Sequence, residues 1–559
     1  IHNIFHWGWV SPVKGTFYPH PHKLKIYKSS GAEVMAYVTG HAPDWVQRET
    51  NKEFDLDAAA GMLRDLVKAT SGVVDQYEIF NEPNGHFPGT AATYAQWLAR
   101  AYDVVKEVSP RSQVIGICTS NIVVDYIEGV LKAGDPRKMD ALSIHPYRPN
   151  PPESTPLLKE LAALKQAVAD NGYTGPIWQT EVGYRAADRP MNPPRFANIK
   201  LFSEAEAARH MVKMNLMCLS AGLDRFYWFY LSGVGGGKNP FYFGMYYENP
   251  EHSVPKKAVA AFATLARTLH GLPFRGAPAA DGADTTVYDF RGSERGAMTA
   301  FKAESTERKR FLFLKNPDGL TSIRSVSGTD LEPAFRRNGL VIHEIRHDPS
   351  YVVYAASRPP EIVFPARFGQ TPDRVRDGDS LSLPVEISNP FNETVEGTFR
   401  LDLPHRWETE EPKEQRFQAP ANGSTRKTFS VHVPDDWVGT DPTVSARVIF
   451  DAFAEYPAVA VRSFEARLSR HENRIPLSLP VMKMDWRATP GRDQQGWRLR
   501  KTDDAVRMHF RFGGEEKITW GSFRAPFSEI MDLQGYQTIE LDMLFDNPEK
   551  LTFSFVLEE

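Results

Sequence analysis

The chain has 559 residues, of which 41% are hydrophobic and 24% charged. That is the profile of an ordinary globular protein of about three to five domains. A net charge of −4, with no basic block and no aromatic-plus-basic repeat, argues against a nucleic-acid partner, and no apolar run approaches the ~18 residues of a membrane span.

In chain order, residues 1 to 270 alternate short apolar runs with amphipathic helices. Strands are expected at NIFHWGWV (3–10), EVMAYVTG (33–40), DQYEIFNE (75–82), QVIGICTS (113–120), DALSIHPY (140–147), PIWQTEVG (176–183) and DRFYWFYL (224–231). The intervening helices carry end signals. TPLLKELAALKQAVADNG has Thr155 as N-cap, Pro156 at the first helical position and Gly172 as C-cap, and SEAEAARHMVKMNLMC opens on a capping box of Ser203 and Glu206. Apolar strands alternating with helices predict a parallel sheet covered by helices, the α/β class. Seven strands are legible where a (β/α)8 TIM barrel needs eight, so the first strand reads as missing upstream. An open doubly wound sheet is the rival, but no Gly-rich phosphate turn follows the first strand. The chain starts at Ile1 without a signal peptide and ends in the strand-like LTFSFVLEE, so both ends read as cut.

From about residue 275 the texture becomes β. TTVYDF, AMTAFKA, RFLFLKN, GLVIHEI and SYVVYAA predict an antiparallel sandwich, SRPPEIVFP (357–365) a linker, and LSLPVEISN, GTFRLDLP, KTFSVHVP and TVSARVIFDAF an immunoglobulin-like sandwich. WRLRKTD, AVRMHFRF, TIELDMLF and LTFSFVLE form a last β unit, too short for a complete jelly roll. The expected units are therefore a barrel over 1–272 and C-terminal β domains over 273–357, 358–470 and 471–559, the last with Trp486, Trp497 and Trp520 as candidate sugar platforms. The two cysteines, Cys118 in a strand pattern and Cys218 in a helix pattern, lack metal-ligand spacing and read as buried free thiols.

Barrel active sites lie at the C-terminal ends of the strands. Those ends carry Asn81 and Glu82, then His145 and Tyr147, then Glu181, then Trp228 and Tyr230. Glu82 and Glu181 stand 99 residues apart, three repeats of about 33, which brings their strand ends to one mouth. Paired carboxylates suit glycoside hydrolysis, one as acid and the other as nucleophile; a separation of roughly 5 Å implies retention and roughly 6.5 Å or more inversion. Desolvation at a buried strand end is expected to raise the Glu82 pKa and keep it protonated. Pro83 and Gly85 end that strand and turn the carboxyl toward the mouth. Glu78, in phase with Glu82, is read as a support beneath it.

FNEPN, TEVG and YWFY, in this order, resemble the clan A glycoside hydrolases, and FHWGWVSPVKGTFYP followed by HAPDWV resembles family 39 and its relatives. The resemblance covers about residues 1 to 270. It implies a retaining β-glycosidase with Glu82 as general acid/base and Glu181 as nucleophile. It also implies that Asn81 bonds the sugar 2-hydroxyl, that Trp228 lies under that sugar, and that His145 and Tyr147 line the site, with Tyr147 steadying the nucleophile. Asp44 and Trp45 are expected in the cleft wall, and Arg148 and Arg185 are candidates to bind an acidic or sulfated sugar. His20 and His22 have a spacing zinc can use, but no third ligand is near in sequence, so no metal and no cofactor is expected. A carbohydrate is the expected partner, and 12% aromatic residues agree with sugar stacking. The expected location is secreted or periplasmic. An endo-β-glucanase of another clan A family and an inactive carbohydrate-binding protein are the alternatives.

Overall fold

The computed structural model describes residues 2–188, 200–231, 242–248, 253–278, 285–305, 309–337, 339–369, 374–375, 378–435, 443–451, 458–463 and 465–466; beyond these it describes 487–489, 494–501, 506–512 and 522–524. All seven predicted parallel strands form: β1 (His2–His6), β2 (Met35–Thr39), β3 (Gln76–Ile79), β4 (Gln113–Ser120), β5 (Ala141–His145), β6 (Ile177–Val182) and β7 (Arg225–Trp228). They pair in sequence order, every neighbour parallel. Among the described residues β1 and β7 are the sheet's two edges, so seven barrel strands stand where eight were expected.

The sheet is nonetheless curled, because side chains meet across it. Tyr227 on β7 donates to Gln76 Oε1 on β3 at 2.8 Å, Ser143 on β5 donates to Glu78 Oε1 on β3 at 2.6 Å, and Arg225 pairs with Glu33 just before β2. Inside the curl an apolar layer of Met35, Ile115, Ala141 and Trp178 draws one residue from each of four strands. This is the layered interior of a β/α barrel.

The helices are α1 (Trp7–Val10), α2 (His22–Ser29), α3 (Asp44–Thr50), α4 (Leu56–Thr70), α5 (Pro83–His86), α6 (Ala91–Val108), α7 (Val124–Ala133), α8 (Leu157–Asp170), α9 (Glu204–Ser220) and α10 (Lys257–Leu269). The longer ones bury one apolar stripe each: α4 presents Leu63, Leu66 and Val67, and α8 presents Leu157, Leu161, Leu164 and Val168. The capping box of Ser203 and Glu206 on α9 forms as expected. In α8 the cap is Pro156 rather than Thr155, whose hydroxyl donates instead to Pro152 O, and Asn171 rather than Gly172 closes the helix.

The β region begins with a five-stranded and a four-stranded antiparallel sheet between residues 274 and 363. Part of the expected linker is structured, since Glu361–Val363 pairs with Phe313–Lys315. Two four-stranded sheets between 366 and 463 then pack face to face. Ser380–Ser388 alternates exposed and covered residues as a sandwich strand must, and Phe399 stacks on Phe429 with centroids 5.2 Å apart. In the last unit Arg487–Thr489 pairs with Ser522–Arg524, and Gln494–Lys501 with Val506–Phe512. Trp497 lies on one of these strands; Trp486, Trp520, TIELDMLF and LTFSFVLE fall outside the described residues.

The first β unit is tied to the barrel through α9. Lys213 Nζ, fully buried, meets Glu153 Oε1 at 2.5 Å, Glu304 Oε1 at 3.2 Å and the Lys302 carbonyl at 3.2 Å. Arg209 reaches Glu304 at 2.5 Å and Asp348 at 2.8 Å.

Candidate active site

Strand β3 does not end in an ordinary turn. Phe80 (φ 72°) and Glu82 (φ 50°) both adopt left-handed backbone, which costs a non-glycine residue roughly 1 kcal/mol each. The segment is held there by β4. Glu82 N–H donates to Cys118 O at 3.1 Å, the Asn84 side chain accepts from Ser120 N–H at 2.9 Å, and it donates back to Ser120 O at 3.2 Å. Pro83 then opens α5, and the Glu82 carboxyl is left projecting from the strand end.

His145, at the end of β5, is fully buried. Its Nδ1 lies 3.0 Å from Glu82 Oε1 and its Nε2 3.2 Å from Cys118 Sγ. Burial pushes the Glu82 carboxyl up, but the hydrogen bond and charge of His145, with smaller contributions from Ser120 and His86, outweigh it and hold the carboxyl below its ordinary value. The expected rise of the Glu82 pKa is thus reversed by a partner from another strand. Burial works against a charged His145, yet Cys118, Glu82 and Glu181 raise its affinity for a proton. Glu82 and His145 are therefore coupled, each altering the other's hold on a proton across a 3.0 Å contact.

Glu181, on β6, is 8% exposed. Its Oε1 accepts from Tyr147 OH at 2.8 Å and its Oε2 accepts a longer bond from Tyr37 OH at 3.4 Å. Burial and the neighbouring Glu181 carboxylate push both phenols well above their ordinary value, so they stay donors. A Glu82 oxygen, a Glu181 oxygen and a His145 nitrogen all lie within 4.8 Å of one another.

The other predicted residues divide. Asn81 is half-buried beside Glu82; its N–H donates to Thr39 Oγ1 at 3.3 Å and its Oδ1 has no hydrogen-bond partner among the described residues. Trp228 stands half-buried at the end of β7, tilted against Tyr184 with centroids 6.1 Å apart. Trp45, next to Asp44 in the first turn of α3, donates its indole N–H to Ser11 O at 3.0 Å. Tyr230 follows β7, its carbonyl accepting from Met245 N–H at 3.0 Å. Glu78 is buried beneath the site and accepts from Ser143.

Three expectations are corrected. His145 does not face a ligand, because it is enclosed between Glu82 and Cys118. Arg185 is 2% exposed, and burial lowers its pKa, so its guanidinium is not open to solvent as a surface anion-binding arginine would be. Arg148 pairs with Glu160 of α8 and bonds Tyr147 O at 3.2 Å, so it too is engaged away from an acidic ligand.

Tyr37 and Cys118 were not singled out as site residues from the sequence. Tyr37 was within reach, since it alternates with Met35 and Thr39 along one face of β2. Cys118 was not, because its placement depends on an irregularity in β4. Two clusters have metal-ligand character, Glu78–Cys118–His145 and Glu82–His145–Glu181. They share His145, whose two ring nitrogens are already matched to Cys118 and Glu82. His20 and His22 meet edge to face with centroids 6.1 Å apart, and no described residue joins them as a third ligand.

The fold is a curled parallel β/α sheet with two carboxylates at the ends of β3 and β6, brought together by the curl, followed by β-rich units. Solved structures with which it compares are glycoside hydrolases. A family 39 glycoside hydrolase from the gut symbiont Bacteroides cellulosilyticus WH2 shares the fold at 21% identity and a TM-score of 0.53, over 63% of this chain and 74% of that one. A family 30 endoxylanase from Clostridium papyrosolvens C71 aligns at 13% identity and a TM-score of 0.43, over 60% of this chain and 82% of that one. A family 51 α-L-arabinofuranosidase from Bifidobacterium longum aligns at 13% and 0.41, over 60% and 78%. No protein-family model and no curated protein matches the sequence.

Proposed function

We propose that this protein is a retaining glycoside hydrolase that cleaves β-glycosidic bonds in a polysaccharide or oligosaccharide. The observation that carries the reading is the approach of Glu82 and Glu181 oxygens to within 4.8 Å at the mouth of the sheet. A gap of roughly 5 Å suits a covalent glycosyl intermediate and leaves no room for a water between carboxylate and sugar.

The surroundings of each glutamate support distinct roles. Glu181, held by two phenol donors, is oriented for attack on the anomeric carbon. Glu82, coupled to His145, is suited to proton transfer. In the first step Glu181 bonds to the anomeric carbon, the bond to the leaving oxygen breaks, and Glu82 gives that oxygen a proton. In the second, Glu82 takes a proton from water, the water oxygen bonds to the anomeric carbon, and Glu181 leaves. The unpartnered Oδ1 of Asn81 beside Glu82 suits a sugar hydroxyl, and Trp228 suits a ring face. A polysaccharide substrate suits a secreted or periplasmic protein, with the β units bracing the barrel or adding sugar contacts.

The test is hydrolysis across a panel of plant, algal and microbial glycans, products read by mass spectrometry, with Glu181→Gln in parallel. Cleavage of one glycan by the unmodified protein alone supports the reading. Cleavage by both rejects Glu181 as nucleophile. Binding of a glycan without cleavage favours the carbohydrate-binding alternative.

A further inference from the structure

Strand β4 is irregular where it passes the site. Its register with β5 slips between Gly116 and Thr119, and within the slip Ile117 (φ 74°) and Cys118 (φ 40°) are both left-handed. A β-branched residue is rarely found in that region, so the surroundings must impose it. Tyr94 of α6 does so: its hydroxyl accepts from Ile117 N–H at 2.9 Å and donates to Ile79 O at 2.6 Å. On the other side Cys118 O accepts from Glu82 N–H. The bulge aims Cys118 Sγ at His145 Nε2, 3.2 Å away.

We propose that Cys118 is a positioning residue: it fixes the proton of His145 on Nδ1 and thereby places the transferable proton of Glu82 on Oε2. The inference deepens, and rests on, the reading of Glu82 as acid and base. Its logic follows the hydrogen bonds. Burial pushes the Cys118 thiol up to about 11, so the sulfur keeps a hydrogen, which at 3.2 Å it can donate to Nε2 of a neutral imidazole. The ring proton must then sit on Nδ1 and point at Glu82 Oε1. A protonated imidazole also carries Nδ1–H, donating from Nε2 to sulfur. The only form disfavoured is the neutral one with its proton on Nε2 alone. With Oε1 held as an acceptor, any proton on Glu82 sits on Oε2, the oxygen 3.7 Å from the exposed His86. The other titratable groups around this pair are Glu78, Tyr147 and Glu181, and they bear on how many protons it holds.

The test reads the proton directly. The full chain is labelled with 15N-histidine, the His145 signals are identified by their loss in His145→Gln, and the tautomer is read from the ring nitrogen shifts. The unmodified protein and Cys118→Ser, which keeps a donor, should carry the proton on Nδ1, and Cys118→Ala should gain the Nε2–H form. On a glycan with an unactivated leaving group Cys118→Ala should lose about tenfold or more in kcat/KM, but no more than about threefold on an activated aryl glycoside that needs little acid assistance. Cys118→Ser should stay within about threefold on both. An Nε2 proton alone in the unmodified protein overturns the proposal, as does a Cys118→Ala protein with Nδ1–H and an unchanged ratio of the two rates. If Cys118→Ala does not fold, the unmodified protein and Cys118→Ser still decide through the tautomer. An Nδ1 proton in a protein that cleaves neither substrate supports the hydrogen-bond direction and rejects the acid role of Glu82.

Discussion

Replacing Lys213 by Met removes the cation at the centre of the junction between α9 and the first β unit. The side chain is fully buried, and three oxygens surround its Nζ. Glu304 keeps Arg209 at 2.5 Å after the change. Glu153 does not fare as well. Its side chain is 9% exposed, Lys213 meets its Oε1, and its Oε2 has no hydrogen-bond partner among the described residues. A buried carboxylate stripped of its partner typically costs 3–5 kcal/mol, about the figure expected here. For a cooperative unit of this size that is a fall in Tm of roughly 6–20 °C. Changing Glu153 to Gln in the same protein removes the stranded charge and should recover at least about 2 kcal/mol, a coupling that only contacting residues show. Urea unfolding followed by near-UV circular dichroism, run as a double-mutant cycle, measures both quantities. Lys138→Met is the control, because its pair with Asp103 is solvent-exposed and should change stability by no more than about 1 kcal/mol. A Lys213→Met effect no larger than the control's, or a double variant as unstable as the sum of the singles, would refute the buried-pair argument.

Three further outcomes are expected. Tyr147→Phe removes a 2.8 Å hydrogen bond to the Glu181 carboxylate, so kcat/KM should fall about 10- to 100-fold while the Tm stays nearly constant; unchanged kinetics would deny the tyrosine its part. Burial lowers the pKa of His343 from 6.5 to about 4, so its contribution is complete above pH 6.5 and fades as the pH falls toward 4, by at most roughly 3 kcal/mol. His343→Gln should flatten that part of the stability curve, leaving the loss below about pH 4.5 that reflects Glu304, whose carboxyl is held well down by His210, Lys213 and Arg209 against the push of burial. A curve of unchanged slope in the variant would show that His343 takes up protons equally in the folded and unfolded chains. Gly183→Ala should reduce activity and Tm together, because a Cβ there would stand 2.3 Å from the Phe229 carbonyl oxygen, two residues from Glu181; an alanine variant with unmodified activity would mean the backbone gives way freely.

What was legible in the sequence was whatever depends on local pattern. The apolar runs before Glu82 and Glu181 marked strand ends, and Ser203 with Glu206 marked a helix start, because each signal lies within a few residues of its effect. The proton balance of Glu82 was not legible. Burial alone predicts a raised pKa, and the group that reverses it, His145, is 63 residues away on another strand. The bulge at Ile117 and Cys118 runs against the preferences of both residues, so no propensity argument finds it. Arg148 and Arg185 looked available because they follow strand ends. Glu160 from α8 engages the first, and packing encloses the second.

The left-handed backbone beneath the site also bears on the protein's history. Glycine or asparagine at position 82 would sit in that conformation more comfortably than glutamate, by roughly 1 kcal/mol, so the glutamate is held against a standing pull toward a steadier fold. The same holds at Phe80, Ile117 and Cys118, all within one neighbourhood. Random substitution at most positions lowers stability, whereas here some substitutions raise it. In a lineage freed from the need for turnover, these four residues would be among the first to drift. Joint drift at these positions in such a lineage would be the sign that chemistry, and not rigidity, had held them.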